Sequence, residues 1–337
     1  MNTCFITDIG SIPEDSWIDF VTAHPDGNVF HTPDYCKLML SFDKIHPYAV
    51  AMMENDRVTG VLCGIHYREY TGIAGILSSR LVIMGGPLVA ENDPERAGLM
   101  IREMDRLAEK QTIFTQYRNL SDVSPYSDRF AESGYEFEEH LNILVDLSKT
   151  DDQLWQEVHV KRRNEIKRGE KKGSVVREVT DPENFRLSYG VLDEVYHRAR
   201  LPIPDFGYFD KVWHSLGKNG LFRCFGAFYD GHLIGTMYVL SFKDTLYDWY
   251  AGSYRSEYNK NPNDIIPWNI FLWGKENGYR RFDFGGAGKP GVPYGVRDYK
   301  KQFGGEFVNY GRYTRINKPF LFRISTIGFK VYQKVKR

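Results

Sequence analysis

Residues 247–307 read YDWYAGSYRSEYNKNPNDIIPWNIFLWGKENGYRRFDFGGAGKPGVPYGVRDYKKQFGGEF, and their reading decides the fold. The aromatic, short-turned run Leu246–Ala251 predicts a strand. Pro262 opens a helix that runs to Asn277 and stops at Gly278, the usual order of proline at the start and glycine past the end. Arg281–Phe284 predicts a second short strand, which closes on Asp283-Phe284-Gly285-Gly286. Beyond it a loop leads to Tyr299-Lys300-Lys301-Gln302-Phe303-Gly304. Glycines at a strand end let the backbone approach a ligand or another strand closely. A tight turn explains those glycines, but not the cluster Arg297, Lys300 and Lys301 beside them.

Upstream, Leu221–Tyr229 and Leu233–Phe242 flank Asp230-Gly231, the pattern of a hairpin. The first half of the chain repeats this order. His46–Met53 and Val58–Tyr67 flank Glu54-Asn55-Asp56; a helix is expected over Pro94–Lys110, a strand over Thr112–Tyr117 and another over Phe137–Leu147. Asn55-Asp56 corresponds to Asp230-Gly231, Pro94 to Pro262, and Gly134-Tyr135-Glu136-Phe137 to Gly304-Gly305-Glu306-Phe307, all roughly 170 residues apart, which predicts two copies of one unit. The expected class is α/β of the α+β type, two tandem domains each with a mixed, mostly antiparallel sheet flanked by helices. The boundaries expected are 1–150, 151–318 and a tail, 319–337.

Composition narrows function. Among 337 residues, 44 Lys and Arg balance 44 Asp and Glu, so no global field draws a polyanion. An apolar share of 42% with 15% aromatics allows a large core and argues against disorder. Cys4, Cys36, Cys63 and Cys224 are far apart, which predicts reduced thiols and no zinc ribbon. The N-terminal residues lack a basic and apolar leader pattern, and the most apolar stretch, Leu81–Ala90, is interrupted by Gly85, Gly86 and Pro87; a cytoplasmic protein without a spanning helix is expected.

Charge is concentrated locally instead. Lys161–Lys172 holds seven basic residues and two acids at the end of an expected helix, which suits either a solvated helix terminus or a phosphate-bearing ligand. After Glu306 there is no acid, while Arg312, Arg315, Lys318, Arg323, Lys330, Lys334, Lys336 and Arg337 follow. In that segment Phe320, Ile324, Ile327, Val331 and Val335 fall on one helical face after Pro319, so a basic amphipathic helix is expected, either lying on an anionic membrane or packed on the core.

Several motif matches fail on context. Gly286-Ala287-Gly288-Lys289-Pro290-Gly291 has the dinucleotide spacing, but Pro290 and Pro293 prevent the helix it must open. Asp283-Phe284-Gly285 lacks the other parts of a kinase, no Gly-x-Ser-x-Gly is present, and the histidines show no metal-ligand spacing. No cofactor and no metal are expected.

What remains resembles the FemA, FemB and FemX aminoacyltransferases. Tyr250-Ala251-Gly252-Ser253 is similar to the family's Tyr-x-Gly-Gly-Ser strand end, Asp283–Gly286 to its Asp-Phe-Gly-Gly, and Tyr299–Gly304 to its Phe-Lys-x-x-Phe-Gly. Arg162-Arg163-Asn164-Glu165-Ile166-Lys167 resembles its Arg-rich helix, and Arg198-Ala199-Arg200-Leu201-Pro202 its Arg-bearing segment. The chain departs from the pattern in three places. Tyr299 stands where the family has Phe, the long helical-hairpin arm is absent, and Phe30–Tyr35 with Lys37 matches the first-domain opening only loosely.

The resemblance implies tandem acyltransferase folds of the GNAT type and transfer of an amino acid from aminoacyl-tRNA to an amine of a nucleotide- or lipid-linked cell-wall precursor. Lys300 becomes the expected cation for the tetrahedral oxyanion, with Tyr299 beside it in the catalytic motif. Arg162, Arg163, Arg200, Tyr250, Asp283, Gly285, Gly286 and Arg297 become candidates for holding substrate, Asp283 alternatively as a cap of the glycine turn. No general base is visible. The runner-up is an acyl-CoA-dependent N-acyltransferase acting on a nucleotide sugar or glycan precursor. It is disfavoured because Tyr254-Arg255-Ser256-Glu257-Tyr258-Asn259-Lys260 lacks the glycines that cradle a pyrophosphate. A non-catalytic membrane-associated scaffold is the third reading.

Overall fold

The computed structural model describes residues 4–335, with side chains through Gly328. The chain forms two compact units, Met1–Glu139 together with Tyr310–Arg337, and His140–Asn309.

The first unit is built on a sheet of eight strands: β1 (Cys4–Ile6), β2 (Ile45–Glu54), β3 (Arg57–Tyr67), β4 (Arg80–Met84), β5 (Leu88–Val89), β6 (Phe114–Arg118), β7 (Glu136–Glu138) and β15 (Arg312–Ile316). Their order is β1-β2-β3-β4-β6-β15-β7, with β5 paired to β3, and only β4 and β6 run parallel. The helices are α1 (Glu14–Ala23), α2 (Pro33–Leu40), α3 (Gly72–Ser78), α4 (Pro94–Ala108), α5 (Ser127–Glu132) and α12 (Pro319–Val335). Ala97, Met100, Ile101, Met104 and Ala108 form the stripe of α4 expected from their spacing, and all are buried with Val50, Met52, Leu62, Leu81 and Ile83.

The second unit has seven strands: β8 (Asn142–Asp146), β9 (Val175–Glu178), β10 (Phe222–Tyr229), β11 (His232–Phe242), β12 (Thr245–Ser253), β13 (Arg281–Gly286) and β14 (Glu306–Val308). The order is β14-β8-β13-β12-β11-β10-β9, and only β12 and β13 run parallel. Its helices are α6 (Asp151–Glu157), α7 (Val160–Lys171), α8 (Pro182–Ala199), α9 (Phe206–Leu216), α10 (Pro262–Glu276) and α11 (Gly295–Lys301). Ile265, Ile266, Trp268, Ile270 and Phe271 of α10 are buried with Phe282 and Phe284 of β13.

Each unit therefore contains an antiparallel hairpin, a third strand, a helix and a parallel fourth strand. The two hairpins turn on Asn55 (φ 49) and Asp56 (φ 59), and on Asp230 (φ 48) and Gly231 (φ 78). Both are two-residue turns with two left-handed residues, the kind whose twist matches the strands. Pro94 and Pro262 open the corresponding helices, and β7 and β14 follow Gly134 (φ 77) and Gly305 (φ 83).

The units do not divide where the sequence suggested. Phe137–Leu147, expected as one strand, is two: β7 pairs in the first sheet and β8 in the second. The exchange is reciprocal, because β15 leaves the second half of the chain to pair with β6 and β7. Each fourth strand thus takes its antiparallel neighbour from the other half of the sequence, which satisfies backbone groups that would otherwise form an open edge. The segment 319–337 likewise belongs to the first unit, not to a separate tail.

The helix expected after Pro319 is present, but it turns a different face inward. Phe322 meets Phe114 edge-on at 5.5 Å, and Ser325 Oγ donates to the Leu77 carbonyl at 2.7 Å. Phe320, Ile324 and Ile327, three of the five residues of the expected stripe, are exposed. The side chains of Lys330, Val331, Lys334, Val335, Lys336 and Arg337 lie outside the described residues.

Candidate active site

The site begins where two parallel strands separate. Pairing of β12 with β13 runs from Thr245 with Arg281 to Tyr247 with Asp283. On its other side β12 carries a bulge at Trp249, so that Val239 faces Asp248 while Tyr238 faces Tyr250. An extra residue bends a strand and re-aims the side chains around it. On β13, the buried Asp283 carboxylate accepts the Gly285 N–H at 2.6 Å, and Gly285 adopts φ 68, which favours glycine. In the first unit the equivalent seam stays closed: β4 and β6 pair over all five residues, from Arg80 with Phe114 to Met84 with Arg118.

Helix α11 brings Lys300 to the parting strands. Its ammonium donates to the Phe284 carbonyl and lies 3.2 Å from Asp248 Oδ2. The two side chains are only 14% and 10% exposed, so the pair is largely withdrawn from water, where its attraction is least screened. Asp283 feels both partners: burial pushes its carboxyl up to about 6, opposed by the Gly285 and Asn142 hydrogen bonds and the Lys300 charge, and reinforced by Asp248. Asn142 of β8 reaches both Asp283 oxygens at 3.4 Å. Tyr196 of α8 is pushed up to about 12 by burial, with added repulsion from Asp248 and Tyr294. Tyr250 packs on Tyr196 at 5.5 Å and edge-on to Phe209 at 5.0 Å, forming an aromatic wall.

The structure brings Lys300, Asp283, Gly285, Gly286 and Tyr250 together around this opening, but gives other expected residues work inside the fold. Arg162 pairs with Asp264, donates to Gln302 Oε1 at 3.1 Å and lies 4.8 Å over the Tyr299 ring. Tyr299, whose hydroxyl donates to the Asn263 carbonyl, is half-buried, and the withdrawal of its phenol from water pushes its pKa upward. Arg297 donates to the carbonyls of Ala287, Lys289 and Val292, which ties down the loop after β13. Arg163 is half-buried on α7, and Arg200 is exposed at the end of α8 in a left-handed conformation, φ 56. In the first unit, Lys37 pairs with Glu14, and His31 is buried with Nε2 3.0 Å from the Gly86 carbonyl.

Asp248, Asn142, Tyr196 and Tyr294 were missed by sequence reasoning. Only Asp248 carried a signal: an acid inside an aromatic strand, where acids are depleted. Among the described residues no group of three or more His, Cys, Asp or Glu is placed to hold a metal ion.

Comparison with known proteins bears on the fold. Residues 160–301 match the acetyltransferase (GNAT) domain family model. That stretch lies wholly inside the second unit, His140–Asn309. The whole chain has the tandem GNAT-type fold of FemX, whose crystal structure it matches at 14% identity and TM-score 0.76, over 96% of this chain and 99% of that one. L-PGS from Bacillus licheniformis matches at 17% identity and TM-score 0.59, over 93% and 96%. A tandem GNAT protein from the clavulanic acid biosynthesis pathway matches at 13% and 0.59, over 94% and 99%. No curated protein sequence matches.

Proposed function

We propose that the protein is an aminoacyltransferase that moves an amino acid from aminoacyl-tRNA to an amine of a nucleotide- or lipid-linked cell-wall precursor, in the cytoplasm. The observation that carries the reading is Lys300, a cation withdrawn from water at the opening between β12 and β13 of a GNAT domain.

In this transfer the acceptor nitrogen bonds to the ester carbonyl carbon, the carbon–oxygen bond to the tRNA ribose breaks, and the nitrogen's proton leaves with the ribose oxygen. Negative charge gathers on the carbonyl oxygen on the way. An ammonium has three hydrogens. Phe284 and Asp248 engage two of them, which aims the third and holds it ready for the oxyanion. The inclined rings of Tyr250 and Tyr196 supply an aromatic wall for substrate, and of the arginines expected to hold substrate the exposed Arg200 and half-buried Arg163 remain to meet phosphate.

A specific feature disfavours acyl-CoA. A pyrophosphate needs open amides at a helix N-terminus. The first turn of α10 already contains the Asp264 carboxylate, paired with Arg162, and the segment before it, Arg255–Lys260, is a 3₁₀ helix without glycine. An internal anion there complements the helix dipole and repels another. The proteins of similar fold include L-PGS and FemX, which supports aminoacyl chemistry on this scaffold. The test is incubation with mixed aminoacyl-tRNA and a nucleotide-linked peptide precursor, read by mass spectrometry. An acceptor heavier by one amino-acid residue is expected; acceptor acylated only when acyl-CoA is supplied would replace this reading by the acyl-CoA one. Contact of the C-terminal segment with an anionic membrane completes the proposal.

A further inference from the structure

The segment Tyr70–Ser79 contains no charged residue, and its helix α3 leaves Ile73 78% exposed, with Tyr70 and Ile76 also exposed. Helix α12 packs beside α3 through Ser325, which donates to the Leu77 carbonyl. It nonetheless leaves Phe320 76% and Ile327 57% exposed, with Ile324 between them. Five large apolar side chains on two adjoining helices, and Tyr70 just before the first of them, are thus exposed, from parts of the sequence far apart. A soluble monomer seldom leaves such groups together without use.

We propose that the outer faces of α3 and α12 form one surface that binds anionic lipid. Charge selects the occupant. Between Phe320 and Gly328 the only charge is the exposed Arg323, Arg68 stands exposed just before α3, and the whole sequence after Glu306 has no acid. The neighbouring acid, Glu69, is paired with Arg80 at 2.7 Å, so apolar side chains edged by Arg68 and Arg323 suit an interface whose core is hydrocarbon and whose rim is anionic. A second copy of this chain suits it less, because a two-fold pairing sets the same surface against itself and brings cation to cation. Helix α3 is the new element: α12 alone offers three of the six side chains, and marginal single anchors are made firm by a second. The use of the surface rests on the proposed lipid-linked acceptor, since it would hold the enzyme at that acceptor's membrane.

The test is flotation of the full-length protein with phosphatidylglycerol vesicles and with phosphatidylcholine vesicles. The variants are Ile73→Asp/Ile76→Asp and, separately, Phe320→Asp/Ile324→Asp. Thermal unfolding of each variant confirms that it folds, as expected for exposed positions. The wild type is expected to float with phosphatidylglycerol at low salt, to float less as salt rises, and to stay behind with phosphatidylcholine. Each double variant is expected to lose at least tenfold in partitioning. The α3 variant decides the matter: if it floats as well as the wild type, the surface does not include α3. If the wild type never floats but self-associates with rising concentration, and both variants abolish that, a second copy is the occupant and the lipid proposal falls. Transfer to a soluble nucleotide-linked acceptor, measured on the same preparations, tests the catalytic reading independently, since it needs no membrane.

Discussion

Lys300 is held by one carboxylate and one carbonyl, and this arrangement makes distinct predictions for each partner. Lys300→Met removes the charge but keeps much of the stem, and should lower kcat by ~10²-fold, as loss of an oxyanion donor does. Asp248→Asn leaves the cation but loosens its placement, so kcat should fall by roughly tenfold with KM little changed. Because Asp248 acts through Lys300, adding Asp248→Asn to Lys300→Met should change nothing further; steady-state rates of the four proteins check this, and simple additivity would separate the two residues. Asp283 gives a test that needs no substrate. Its carboxyl is pushed from 3.8 up to about 6 by burial, so across that interval the folded chain keeps a proton that the unfolded chain has lost. The contribution is therefore most favourable below the lower value and is lost as pH rises through the higher one. Asp283→Asn should flatten the fall in melting temperature between these pH values relative to wild type. The comparison must be made as a difference, because Asp105 in the first unit is also pushed up to about 6 by burial. The cation itself was legible in Tyr299–Gly304. Its partner Asp248 was not, because an ion pair between β12 and α11 is visible only once the bulge at Trp249 is known.

At the scale of elements, the basic helix α7 has a split character that its sequence conceals. Seven cations between Lys161 and Lys172 look alike in the sequence, yet Arg162 turns inward to Asp264 and Tyr299, whereas Lys161, Lys167 and Arg168 are exposed. Arg162→Ala leaves the Asp264 carboxylate buried without its cation and should destabilise the protein by about 3 kcal/mol, read by urea unfolding. Arg163→Ala should leave stability nearly unchanged, weaken binding of a nucleotide-linked acceptor, and flatten the salt dependence of that binding. Hairpins, the α4 and α10 stripes and their prolines were legible because each obeys a local rule of turn or period. The role of Arg162 was not, because it depends on a neighbour about a hundred residues away in the chain.

At the scale of the whole molecule, duplication was legible from turn, proline and glycine positions in matching order, but the exchange of strands was not. Nothing local distinguishes β8 pairing with β13 from β8 continuing β7; only the completed sheets do. The exchange predicts which pieces fold alone. A fragment spanning 151–318 lacks β8 and leaves β13 as an open edge, so it should aggregate, whereas 140–309 keeps its full sheet and should unfold cooperatively; circular dichroism and light scattering distinguish the two. The same asymmetry distinguishes the two units, since the seam of β4 and β6 is closed and that of β12 and β13 opens beside Lys300, where the proposed chemistry is placed. The most direct test of the account is transfer of a labelled amino acid from aminoacyl-tRNA to a nucleotide-linked peptide precursor by the wild type and by Lys300→Met, with acetyl-CoA as a parallel donor. The account predicts labelled product from the tRNA donor, a loss of ~10²-fold with Lys300→Met, and no acetylated product. Acetylation without aminoacyl transfer, or a Lys300→Met enzyme as fast as the wild type, would contradict it.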